Sequence, residues 1–288
     1  MPRVGLRSHP SNLIRFAPAK GVSSIGRGTI VPRALTVAGS DSGGGAGIQA
    51  DLKAFAAAGA HGMSAIVALT AQNTVGVTAV HELPAEFVVA QLDAVFSDIG
   101  VDAAKTGMLF SRAIVDAVAG YFARNPVPLV VDPVMIASSG ARLLQDDAIE
   151  SLVGDHFPLA TVVTPNLMEA RVLVGDGTRA AIAERIVGLG AAAAIVTGGH
   201  GEDPVDHLFD GASHVEIPVA RHESGATHGA GCTHSATLAA YLARGASLEE
   251  AARAAAAAAG EAVRNGLAGL GAGDGPVDVL DVKGARPG

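Results

Sequence analysis

From residue 34 onward, short apolar segments alternate with segments of helical spacing, and this alternation narrows the fold more than any other feature. Residues 34–38 are an apolar run ending at Gly39, which reads as a buried strand. Residues 47–58 follow with Ile48, Leu52 and Phe55 on one helical face. Residues 63–69 are apolar again. Pro84 marks a helix start, and a helix through Ser97 would bury Phe87, Leu92 and Phe96. Residues 103–108 and 128–131 read as strands with a helix over 111–124 between them. The strand–helix step repeats at 161–163 and 166–174, and 192–196 is a further strand. Residues 207–209 and 215–219 read as a hairpin turning at Asp210-Gly211. Two helices close the chain, the second opening on the capping-box pattern Ser247-Leu-Glu-Glu250. Such an order predicts an α/β fold, with a mostly parallel central sheet and helices on both faces. Ligands in such folds gather at the carboxyl ends of the strands, so the strand-end loops are where chemistry belongs.

Composition removes several alternatives. The net charge is −8, which disfavours binding to a phosphate backbone, and 3% aromatic residues with no Trp supply few stacking surfaces. A single Cys excludes an internal disulfide framework and any multi-Cys zinc site, and fits a reducing, cytoplasmic setting. No stretch reaches the roughly 18 uninterrupted apolar residues of a membrane span. The first 33 residues hold six basic residues and no acid; taking six from 20 Lys and Arg leaves 14 against 28 Asp and Glu, a net −14 for the body. This arm lacks the apolar core of a secretory signal. We divide the chain into a disordered N-terminal extension (1–32), one domain (33–282) and a loose tail (283–288).

Four segments could carry chemistry. The first is Gly39-Ser-Asp-Ser-Gly-Gly-Gly-Ala-Gly47, where a ligand could approach the backbone. It matches neither the dinucleotide fingerprint nor the P-loop, and among 37 glycines it also reads as a flexible turn. The second is Thr227-His-Gly-Ala-Gly-Cys-Thr-His234. Its glycines can turn successive N–H groups toward one point as a helix begins near Gly231, which makes an anion site. Cys232 stands on the first turn, where the same field should lower its thiol pKa; the bland alternative is a small buried hydrophobe. The third comprises Asp132 and Glu169, acids just past apolar strands and placed to hold Mg²⁺ beside a polyphosphate. Taken singly, Asp132 reads more readily as an N-cap or turn acid, and Glu169 as a solvated helix residue. The fourth is Thr197-Gly-Gly-His200, another close-approach loop. His228 and His234 read as structural or pocket-lining, since no His pair has metal spacing on one helix face.

Taken in order, AGSDSGGGAGIQADLK (38–53), ALTAQNTVGV (68–77), FSDIGVDAAKTGML (96–109), VDPVM (131–135), TPNLMEA (164–170), TGGHG (197–201), HGAGCTHSA (228–236) and GDGPVDVL (273–280) resemble the hydroxymethylpyrimidine/phosphomethylpyrimidine kinases of thiamine biosynthesis. The resemblance covers about residues 34–280 and implies a ribokinase-like fold. It implies two ATP-dependent phosphorylations: of 4-amino-5-hydroxymethyl-2-methylpyrimidine, then of its monophosphate. By the same resemblance Cys232 is the catalytic base. The N–H groups of Gly229, Ala230, Gly231 and Cys232 form the anion hole. Asp132 and Glu169 organise Mg²⁺. Gln72 and Asp51 contact the aminopyrimidine, which Gly39, Met108 and Val134 line. Asn166, Thr197, Gly198 and Gly199 form the nucleotide side. A homodimer acting on a small molecule, with neither nucleic acid nor membrane as partner, is also implied.

The chain departs from the family pattern where many members carry Lys: it has Thr197 and Ser138 instead, and only four Lys in all. Ala230 replaces a common Thr, and Asp274 stands where His is frequent. Three other readings are weighed: a pyridoxal or pyridoxine kinase of the same fold, a pyrimidine-binding protein without turnover, and a redox sensor built on Cys232. The last lacks a resolving Cys within the chain.

Overall fold

The computed structural model describes residues 31–135, 144–199 and 204–283. Residues 1–30, Ser138, His200 and 284–288 lie outside the described residues, and with them most of the arm and tail assignments.

The strands are β1 (Arg33–Asp41), β2 (His61–Gln72), β3 (Val77–Glu82), β4 (Ala103–Thr106), β5 (Leu129–Val131), β6 (Val162–Val163), β7 (Ala194–Val196), β8 (Val205–Phe209) and β9 (His214–Pro218). They form one sheet in the order β3-β2-β1-β4-β5-β6-β7-β8-β9. Pairings from β2 through β7 are parallel, while β3 and the β8–β9 hairpin add antiparallel edges. The helices are α1 (Gly47–Ala57), α2 (Ala85–Asp98), α3 (Arg112–Arg124), α4 (Asp146–Ser151), α5 (Leu167–Val174), α6 (Arg179–Gly188), α7 (Ala230–Ala243) and α8 (Leu248–Arg264).

Successive side chains of a strand point to opposite faces, and the core divides accordingly. Leu35, Val37, Leu129, Val131, Val163, Ala194 and Val196 belong to one buried cluster, with Val88 and Leu92 of α2, Ile114, Val118 and Phe122 of α3, and Ile182 and Ile186 of α6. Ala34, Val130, Val162 and Ile195 belong to the other, with Phe55 of α1, Leu238 and Ala239 of α7, and Ala251, Ala252 and Ala255 of α8. Both faces are covered, which is why the central strands are continuously apolar rather than alternating. The Ala-rich stretch of α8 is thus a half-buried helix. Its start is the expected capping box: the Ser247 Oγ accepts the Glu250 N–H at 3.3 Å, and Glu250 Oε2 accepts the Ser247 N–H at 2.9 Å. Among the described residues no helix is long and apolar enough to cross a membrane.

The structure departs from the reading at several elements: the short helix α4 is not signalled by the sequence, and β2 extends to both sides of the 63–69 run. β1 runs three residues past the apolar run, because Ser40 and Asp41 continue the ladder to Leu69 and Thr70 beyond an irregularity. β3 was not anticipated: it is an edge strand, mostly exposed, and carries no clean apolar alternation. α6 was also not anticipated, although Thr178 accepts the Ala181 N–H as its N-cap. On α2, Phe87 is 36% exposed, and Val88 and Leu92 take the buried positions. Truncating Leu92 to Ala should cost about 2–5 kcal/mol of stability. Phe87→Ala should cost less than half as much. Urea denaturation of both variants checks this; equal losses would place Phe87 in the core.

Candidate active site

The carboxyl ends of the parallel strands converge on the start of α7. Gly229 is the N-cap at φ +85°, in the left-handed region that favours glycine, and a Cβ there would collide with the Gly45 carbonyl oxygen. The first intrahelical bond joins the Thr233 N–H to the Gly229 oxygen at 2.9 Å. Gly231 is exposed and Cys232 half-buried, so their N–H groups stand ahead of the helix at its positive end. The anion hole is narrower than expected, because the Ala230 N–H donates to the Thr227 oxygen at 3.1 Å. Asp274, which stands where the family often has His, holds this loop: Thr227 donates to it through N–H (2.9 Å) and Oγ1 (2.7 Å).

The first glycine loop is tied to the same point by Asp41. Its Oδ1 accepts the Gly43 N–H at 2.8 Å; its Oδ2 accepts the Gly45 and Ala46 N–H groups at 3.0 and 2.9 Å and meets His228 Nε2 at 3.1 Å. Burial works against this carboxylate, yet the bonds from His228, Ala46 and Gly43 hold its pKa below the ordinary value. His228 is therefore structural, joining the two glycine loops. Gly47, at φ +57° and packed against the Gly39 carbonyl, starts α1 with its N–H toward the Cys232 sulfur.

Beneath Cys232 lies a buried charge cluster. Lys105 on β4 has no exposed surface. Its Nζ lies 2.9 and 3.1 Å from the two oxygens of Asp51 and 3.5 Å from Asp132 Oδ2. Thr36 on β1 donates to Asp51 Oδ2 at 2.6 Å, and Ser235 on α7 donates to Asp132 Oδ2 at 2.8 Å. Burial opposes the ammonium, but Asp51, Cys232 and Asp132 together raise its pKa, so Lys105 keeps its proton. Two expectations are corrected here. Asp51 is fully buried and bonded to Thr36 and Lys105, so in this structure it does not face a ligand and acts on the site through Lys105. The Cys232 thiol is not lowered but pushed up to about 12, chiefly by burial and further by Asp51 and Asp132, while Lys105 and the Gly47 N–H oppose the rise.

Glu169 is drawn into the same field. Burial and the charge of Asp132 push it up to about 8, against the N–H groups of Asn166 and Met135. It also closes a capping box: its Oε2 accepts the Asn166 N–H at 3.0 Å, and Asn166 Oδ1 accepts the Met168 and Glu169 N–H groups at 2.9 Å each. Two carboxylates that repel each other suit a hard divalent cation. No group of three carboxylate, imidazole or thiol ligands occurs among the described residues. The pair Asp132 and Glu169 fits the donor chemistry of Mg²⁺, which is commonly held by one or two carboxylates and completed by water and substrate phosphates.

On the substrate side, Gly39 lies under Met108, whose methyl group a Cβ would strike. Gln72 is half-buried; its backbone bonds Ser42 of the first loop, and its Oε1 accepts from Thr70 at 3.2 Å. Val134 is half-buried two residues past Asp132. On the nucleotide side, Thr197 pairs with Asn166, and Gly199 is exposed. The Gly198 N–H is already spent on Asp206 Oδ1 at 2.8 Å. Surface clefts of about 420 and 330 Å³ flank α8 and are lined by other residues than these.

Lys105, Asp41 and Asp206 escaped the sequence reading. For Lys105 a signal existed: Asp51 falls on the buried stripe of α1 with Ile48, Leu52 and Phe55, and a buried acid needs a counter-charge.

A sequence model of the phosphomethylpyrimidine kinase family matches residues 41–278. The chain is similar to the hydroxymethylpyrimidine/phosphomethylpyrimidine kinase of Rhizobium meliloti, at 51% identity over 230 residues, 77% of this chain and 86% of that protein. Its structure is similar to that of Bacillus subtilis pyridoxal kinase, with TM-score 0.80 and 36% identity, covering 88% of this chain and 99% of the other. It is also similar to phosphomethylpyrimidine kinase from Clostridium difficile 630, with TM-score 0.70 and 40% identity, covering 78% and 96%.

Two results are expected of the site. Alkylation of Cys232 by iodoacetamide should still accelerate above pH 10, whereas an ordinary thiol levels off past its pKa of about 8.5; a plateau by pH 9 would contradict the buried, acid-flanked thiol. Gly229→Ala should lower the melting temperature and abolish turnover, because it strains the backbone and forces the two glycine loops apart. Normal turnover with an unchanged melting temperature would show that the loops do not interlock.

Proposed function

The chain belongs to the phosphomethylpyrimidine kinase family and is a kinase; on that premise we propose that it moves the terminal phosphoryl of ATP first to the hydroxymethyl group of 4-amino-5-hydroxymethyl-2-methylpyrimidine and then to the resulting monophosphate, for thiamine biosynthesis. The observation that carries this reading is a lone, half-buried thiol on the first turn of α7, behind Gly229 and facing the Gly47 N–H.

Phosphoryl transfer asks for alignment and charge stabilisation rather than covalent help from the protein. We assign the Gly231 and Cys232 N–H groups to the oxygens of the transferred phosphoryl, where fixed donors are worth most. Gln72 reads the polar edge of the pyrimidine, with Met108 and Val134 against its ring; the Thr197–Gly199 loop and Asn166 take the nucleotide. The Cys232 sulfur first gives its own proton to solvent; the hydroxymethyl oxygen then attacks the γ-phosphorus as the bond to the β,γ-bridging oxygen breaks, ADP leaves with that electron pair, and the hydroxyl proton passes to the thiolate. Asp132 and Glu169 would hold Mg²⁺, which supplies charge neutralisation at the phosphates and opposes the smaller, carboxylate share of the thiol's rise, the larger share being burial. Lys105 already stands on the side of the thiolate.

The second transfer differs in one respect. A phosphate monoester has its second pKa at about 6, so its attacking oxygen carries no proton at neutral pH. The base is therefore needed for the first step only. Cys232→Ala should lose about 10²–10⁴ in kcat for the alcohol, the usual span of general-base catalysis, and much less for the monophosphate. Mass detection of mono- and diphosphate products with Mg-ATP measures both. Equal losses would move Cys232 out of the base role. Gln72→Ala should raise KM for the pyrimidine more than for ATP; an equal effect would place Gln72 outside the substrate pocket.

A second reading, pyridoxal phosphorylation, is favoured by the likeness to pyridoxal kinase. A substrate panel decides it, and faster turnover of pyridoxal would overturn the first choice. We also propose a homodimer, which analytical ultracentrifugation tests.

A further inference from the structure

Asp206 on β8 has no part in the chemistry assigned above, yet it is a buried carboxylate between the two halves of the site. It is 3% exposed. Its Oδ1 accepts the Gly198 N–H at 2.8 Å, and its Oδ2 meets His234 Nε2 at 3.1 Å. Gly198 belongs to the loop after β7; His234 lies on α7, two residues past Cys232. The loop is pressed onto β8 at this point, since a Cβ on Gly198 would collide with the backbone of Val205. His234 is itself 4% exposed, and its Nδ1 has no hydrogen-bond partner among the described residues, so the bond to Asp206 is what orients the imidazole. Burying a carboxylate is costly unless its oxygens are bonded, and here they bond two separate elements of the site.

We propose that Asp206 is a positioning residue for the nucleotide: one carboxylate fixes the 197–199 loop against the helix that carries Cys232, and so sets the separation between bound nucleotide and base. This rests on the reading that the nucleotide lies at that loop. Phosphoryl transfer is sensitive to such a setting, because a misplacement of about 1 Å can cost on the order of 10²-fold in rate.

The test is steady-state kinetics in Mg-ATP with each substrate varied in turn. Asp206→Ala should raise KM for ATP roughly tenfold, as expected for the loss of a charge-assisted hydrogen bond. KM for the pyrimidine should stay within about twofold. Asp206→Asn keeps a carbonyl oxygen for the Gly198 N–H and should restore most of the ATP KM. An unchanged KM for ATP in Asp206→Ala, or an equal rise in both KM values, would overturn the proposal. If Asp206→Ala does not fold, His234→Leu carries the test: a raised KM for ATP alone supports the coupling, and an unmoved one overturns it. Thr197→Ala separates the two layers. If it leaves ADP affinity unchanged by calorimetry, the nucleotide placement fails and the inference falls with it. If it weakens ADP while Asp206→Ala does not, only the role of Asp206 fails.

Discussion

A lysine with no exposed surface is the constraint around which this site is built. An ammonium can be buried only beside compensating charge, and Lys105 has Asp51 against it and Asp132 within 3.5 Å. The three residues come from α1, β4 and the loop after β5, and Ser235 extends the bonds to α7. Four elements are thereby registered to one another at the carboxyl ends of the strands. Breaking such a cluster by deleting one partner generally costs about 3–5 kcal/mol, because the remaining charge stays buried and unpaired. The cluster thus acts as a coordinate system for Cys232, whose sulfur sits over it, and its charges adjust a proton affinity that burial chiefly raises.

The two glycine loops are fixed in relation to that floor, not left slack. Asp41 gathers three N–H groups of the first loop and bonds His228 at the entrance to the second. Gly229 lets the second loop press against Gly45, so the loops form a single surface. Gly47 and Cys232 then meet by construction. A donor array preorganised in this way spends no free energy on reorganisation when charge develops in the transition state.

The alternation of elements was legible from residue 34 onward because both faces of the sheet are covered, which makes the central strands continuous apolar runs. The Ser247 capping box was legible for the opposite reason, being entirely local. Edge strand β3 lacks the burial that would have marked it, and α6 was passed over despite its Thr178 cap. The candidates Cys232, Asp132 and Glu169 were legible from their places at a glycine-led helix start and at strand ends, whereas Gln72 came only from the family resemblance. What the chain order hid was pairing at a distance: Asp51 and Lys105 are 54 positions apart, and Asp41 and His228 are 187 apart. The thiol illustrates the cost. A helix N-terminus lowers a thiol pKa, but that local argument omits burial and two neighbouring acids, and together these prevail.

The central claim is that the Cys232 sulfur stands where the phosphoryl acceptor loses its proton. A crystal structure of the protein with the pyrimidine alcohol and a non-hydrolysable ATP analogue tests it most directly. The hydroxymethyl oxygen is expected about 3–3.5 Å from Sγ, with the γ-phosphoryl beside the Gly231 and Cys232 N–H groups. An oxygen held instead by the Asp132 carboxylate, with the sulfur out of reach, would contradict it.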